Sequence, residues 1–152
     1  MGDDLAASNV NRSYSLAATS IAIFTFLLFF LYPRFEGGQI NGMLFQGTSL
    51  VMSVATFSFV FASFYYYCCC ALGSRMNAAE RVVYSRRADR FWLLGAALLF
   101  LVPSLVLFSI WLVVVGSAWF TLWLVYLVFL IRYFPKVQAA HESSLGGEAR
   151  AD

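Results

Sequence analysis

The sequence predicts an all-α integral membrane protein: a four-transmembrane-helix bundle with both termini cytoplasmic. Three observations point there. Of 152 residues, 61% are hydrophobic and 12% charged, whereas about a quarter of a soluble domain is charged. The polar surface needed to cover so apolar a core in water is missing. Four apolar segments each approach the ~20 residues that one crossing requires. Finally, the basic residues gather on one side of any four-pass arrangement.

The first segment, 15–33, is SLAATSIAIFTFLLFFLYP. Its apolar run exceeds that of a secretory signal, and no A-x-A cleavage site follows, so it reads as a retained signal-anchor helix. The second covers 46–72. The third and fourth form one near-continuous apolar stretch from Phe91 to Phe134, about twice the length of a single crossing. It must reverse, and Gly116-Ser117 is the predicted turn, giving spans 91–114 and 118–135. Between spans two and three, the 74–90 loop is rich in helix formers and is expected to extend span three as a cytoplasmic basic helix. Residues 1–137 thus form the membrane domain, and 138–152 a polar, flexible tail carrying His141, the sole histidine. No internal repeat is visible.

Orientation follows from counting Lys and Arg. The amino tail (Arg12), the middle loop (Arg75, Arg81, Arg86, Arg87, Arg90) and the carboxyl end (Arg132, Lys136, Arg150) hold nine basic residues, and the opposite side holds Arg34. Aromatic residues fall at both expected interfaces: Tyr14, Tyr65, Tyr66, Tyr67, Trp92 and Tyr133 at the inner, and Tyr32, Phe35, Trp111 and Trp119 at the outer. Nine Arg against one Lys suggest a GC-rich genome and place the expected location in a bacterial inner membrane.

Several chemistries lack their residues. No Asp, Glu, Lys or His lies within a predicted span, and coupled carriers place ionisable groups there. Haem ligation by paired intramembrane histidines and C-x-x-C redox chemistry have nothing to run on. Cys68-Cys69-Cys70 point ~100° apart on a helix and cannot all ligate one metal. They read as small packing residues, or as acylation sites in a eukaryotic cell. No cofactor and no enzyme activity are expected. A net charge of +2 argues against direct nucleic acid binding.

Two patterns are candidate sites. On span two, Gln46, Ser49, Ser53, Thr56, Ser63 and Tyr67 fall within roughly a quarter of the helical wheel. Ser49, Ser53, Thr56 and Ser63 then form either a helix-packing face or a hydroxyl-lined pore wall. Span one carries a second small-residue stripe, Ser15, Ala18, Thr19, Ala22 and Thr25, containing a small-xxx-small pair. The two stripes are expected to dock spans one and two, or one within a protomer and the other between protomers. In the loop, Arg86, Arg87 and Arg90 cover one helical turn. Beyond setting topology, they could hold an anionic lipid or a phosphorylated cytoplasmic ligand. Pro103 is expected to kink span three, with Ser104 and Ser109 re-satisfying freed carbonyls.

The function these features predict is a homo-oligomeric ion channel or pore, gated from the cytoplasmic side. The alternative is a non-catalytic accessory or anchoring subunit of a larger membrane complex.

Overall fold

The computed structural model describes residues 2–72 and 75–148. They form four helices: α1 (Gly2–Glu36), α2 (Gly42–Ala71), α3 (Ala78–Ser109) and α4 (Val113–Glu148). No strand occurs among the described residues. Each helix contains a stretch long and apolar enough to cross a membrane: Ala7–Glu36, Gly42–Ala71, Ala79–Ser109 and Val113–Pro135. The chain is an all-helical, multi-pass membrane protein.

The helix ends follow local chemistry. Asn41 caps α2, its Oδ1 accepting the N–H groups of Met43 and Leu44 at 3.1 and 3.2 Å, which satisfies two of the first-turn donors. Before α3, the Asn77 N–H donates to Glu80 Oε2 at 3.1 Å, one half of a capping box. The basic 75–90 segment is therefore mostly helical, as α3 starts at Ala78. Glycine at 38 ends α1 in the left-handed region (φ 67°).

The turn between α3 and α4 differs from the expectation. The chain reverses at Ile110–Leu112, and α4 begins at Val113, ahead of Gly116-Ser117. Trp111 takes φ 65°, and the Leu112 N–H reaches back to Leu107 O at 2.9 Å. This is the six-to-one bond of a Schellman end. Gly116 lies within α4, where a Cβ would come 2.9 Å from the Phe108 ring. Its missing side chain lets α4 close on α3. The Asn41 N–H donates to Ser109 O at 3.1 Å, tying both short connections together at one end of the bundle.

Packing uses a seven-residue repeat that alternates steps of three and four. On α2 the buried positions that follow it are Phe45, Thr48, Met52, Ala55, Phe59, Ala62, Tyr66 and Cys69, with Ser58 and Ser63 buried beside that seam. On α3 they include Ala88, Gly95, Val102 and Ser109. On α1, Ser13, Ala17, Ser20 and Leu31 face inward. A 3.5-residue period keeps one seam of a helix against its neighbour along its whole length. α2 and α3 share the largest interface, α1 packs on α2, and α4 packs on α3. α4 is the least covered of the four spans. Its side-chain anchor is Trp123, whose Nε1–H donates to Ala97 O at 2.8 Å.

α3 runs unbroken through Pro103. Ser104 and Ser109 donate to Leu101 O and Val106 O at 2.8 and 2.7 Å. Neither is the carbonyl four residues before the proline, so the expected repair of that carbonyl by Ser104 is not made. α4 continues past its apolar stretch to Glu148. The side chains of the polar tail, His141 included, lie outside the described residues.

Candidate functional site

The basic end of the bundle joins α1, α2 and α3. The Arg12 guanidinium sits over the Trp92 ring, 4.7 Å from its centroid, a cation–π contact that also bridges α1 to α3. The buried Tyr66 hydroxyl on α2 donates to Asp89 Oδ1 on α3. On the other flank of α3, Tyr65 stacks on Phe91 with centroids 5.6 Å apart and planes 12° from parallel. Tyr84 meets Tyr65 edge-on at 5.9 Å.

Two grooves open here. One, of about 360 Å³, is lined by Tyr65, Arg87, Arg90, Phe91 and Leu94. The second, of about 310 Å³, is almost wholly apolar and lies between α1, α3 and α4. Arg12, Trp92 and Tyr126 line it together with Leu16, Leu99 and Phe100. It exists because α1 and α4 do not pack closely on each other.

The structure divides the arginine cluster. Arg86, Arg87 and Arg90 are all exposed, yet only Arg87 and Arg90 line the first groove. Arg86 shares a face with Arg90 as well, so it is the position of Tyr65, on α2, that sets the groove on the Arg87 side. Arg86 makes an interaction of its own. Arg12, read from sequence only as a topology charge, turns out to share a site with Trp92.

The hydroxyl stripe on α2 is divided as well. Ser63 is fully buried, whereas Ser49, Ser53 and Thr56 are half-buried. Each hydroxyl donates to the carbonyl four residues earlier on its own helix, at 2.9–3.0 Å. Thr48 and Ser58, outside the expected stripe, are buried. The side of α2 facing away from its neighbours is apolar, with Leu50 67%, Phe57 63% and Phe64 58% exposed.

The docking of α1 on α2 likewise uses different residues from those expected. Ser13, Ala17 and Ser20 make the contact face, while Ala18, Thr19, Ala22 and Thr25 lie exposed on the opposite side and Ser15, also exposed, borders the second groove. Thr19 and Thr25 satisfy their hydroxyls on Ser15 O and Ile21 O at 2.8 and 2.9 Å.

Of the three cysteines, Cys69 is buried and Cys68 and Cys70 half-buried. The Cys69 Sγ approaches Arg81 O at 4.0 Å. Among the described residues, no group of three or more His, Cys, Asp or Glu is placed to hold a metal ion. Comparison with models of protein families, with curated proteins and with solved structures finds no match for this chain.

Proposed function

We propose that this chain is a non-catalytic accessory or anchoring subunit of a larger membrane complex. It sits in a bacterial inner membrane with both termini cytoplasmic. The outward face of α1 carries the reading. Ala18, Thr19, Ala22 and Thr25 are exposed on the side of α1 away from the face that docks on α2. Small residues let a second helix approach closely in lipid, where packing rather than water exclusion drives association. Thr19 and Thr25 already bond their own helix, so these two hydroxyls can meet an apolar partner without being stranded.

An Ala18→Leu, Ala22→Leu double variant tests this. The side chains at both positions are exposed, so the variant should keep the wild-type melting temperature in detergent. It should also lose the stoichiometric partner that the wild-type chain retains on mild solubilisation. Leu122→Ala on the exposed side of α4 should change neither. If the purified wild-type chain has no partner and conducts ions in liposomes by itself, the subunit reading falls.

The second reading, a homo-oligomeric pore gated through the basic end, draws on the half-buried row Ser49, Ser53 and Thr56. An axis facing α2 would meet Leu50, Phe57 and Phe64, a hydrophobic lining rather than a hydroxyl one, which is why we rank it second. In a pore, Ser53→Leu or Thr56→Leu should reduce flux at unchanged oligomer size.

Orientation is checked by cysteine labelling in a chain with Cys68, Cys69 and Cys70 replaced by Ser. Gln39→Cys should react with an impermeant reagent from outside, and Ser143→Cys only after the membrane is opened. External labelling at 143 would reverse the positive-inside assignment.

A further inference from the structure

We propose that the groove between Tyr65 and the Arg87–Leu94 stretch of α3 binds the headgroup of one anionic phospholipid. Arg87 and Arg90 donate to the non-bridging oxygens of its phosphate. The Tyr65–Phe91 stack and Leu94 take the glycerol and the first acyl methylenes.

Four observations converge. The groove is lined by two guanidinium side chains and three apolar or aromatic ones, with no acidic lining residue. Asp89, the acid within this turn, accepts the Tyr66 hydroxyl instead of facing the groove. Arg87 and Arg90 are about 5–6 Å apart at Cβ, being three residues apart on one helix face, close enough for both forks to reach one phosphate. Phe91 and Leu94 sit one turn further along the same face, where the apolar run of α3 begins. A ligand held by all five residues must therefore be anionic at one end and apolar at the other. That is the chemistry of a phospholipid at its own depth in the bilayer. A soluble phosphorylated ligand would use the arginines and leave the stacked rings without a role. The neighbouring groove is less suited to an anion, because its one cation, Arg12, already lies on Trp92.

Native mass spectrometry can test this on the whole chain released from micelles holding equal amounts of phosphatidylglycerol and phosphatidylcholine. One phosphatidylglycerol should remain bound in preference to phosphatidylcholine. An Arg87→Gln, Arg90→Gln variant should lower that retention about tenfold or more, since two charge-assisted contacts are lost. Arg75→Gln, an exposed arginine outside the groove, should leave retention unchanged. Arg87→Lys, Arg90→Lys preserves the charge, and with it insertion, but lacks the planar fork, so retention should fall part-way. Equal retention of the two lipids would overturn the site, as would equal loss in the Arg75 variant. Ready displacement of the lipid by inorganic phosphate would assign the arginines to a soluble anion instead.

Discussion

Gly95→Leu should largely abolish the folded bundle, the greatest effect of any single substitution considered for this chain. A Cβ at position 95 would stand 3.0 Å from a ring carbon of Phe59 and 3.1 Å from the backbone oxygen of Ala55. Phe59 is itself fully buried and has no open space to swing into. Ala55 O belongs to the α2 backbone and can recede only if the whole helix moves. The α2–α3 interface is the largest in the protein, so separating it undoes most of the packing. Overpacking a tight core costs about 1–3 kcal/mol and sometimes more, and backbone contact puts this case at the upper end. Gly47 supplies the comparison, because nothing lies within 4 Å of a Cβ built there. Gly47→Ala should be neutral or stabilising by up to ~1 kcal/mol, through helix propensity. Thermal unfolding in detergent, followed by circular dichroism, should show Gly95→Leu failing to give a cooperative transition while Gly47→Ala melts at or above wild type. A wild-type melt for Gly95→Leu would mean that the two helices do not meet as described.

Membrane crossing was legible because it depends on a sum. Any window of twenty apolar residues gives the same answer whichever way its side chains point. The turn was not legible, because the rule that glycine marks a reversal ranks Gly116 above its neighbours. In this chain Gly116 serves packing against Phe108, and the left-handed residue is Trp111, a type that rarely adopts such a backbone. Nothing in residue type singles out that tryptophan.

The contact faces were misread for a different reason. In water, a polar stripe marks the outside and an apolar one the inside. In lipid both sides are apolar, so hydroxyls carry little information about direction. They can return to their own helix at i−4, as Ser49, Ser53, Thr56 and Ser63 all do. A better signal was present in residue size. Thr48, Ala55, Ala62 and Cys69 recur every seven residues on α2, and Ala88, Gly95 and Ser109 keep the same register on α3. Small residues at that period mark where backbones approach. The arginine cluster was legible as a cluster. Helical spacing could not have separated Arg86 from the Arg87–Arg90 pair, because Arg86 and Arg90 also share a face; the division needed the fold, because the Tyr65 platform comes from another helix.

Breaking the Tyr66–Asp89 contact should give the second largest effect, with an asymmetry that identifies it. The Tyr66 hydroxyl on α2 donates to the Asp89 carboxylate on α3, and Tyr66 is 7% exposed. Asp89→Ala leaves that buried hydroxyl without its acceptor, a loss of about 1–3 kcal/mol. Tyr66→Phe removes the donor and preserves the ring volume. Asp89 is only half-buried, so its carboxylate keeps access to solvent, and the loss should be nearer ~1 kcal/mol. Removing both partners leaves no unmatched polar group at this point. The double variant should therefore lose less than the two single losses added together, with a coupling of roughly 1–2 kcal/mol in a double-mutant cycle. Because Arg12 and Trp92 lock α1 to α3 at the same end, the loosening should also appear as faster amide exchange in the part of α3 where Arg87 and Arg90 lie. Strict additivity of the two substitutions would show that the hydroxyl and the carboxylate do not act on each other.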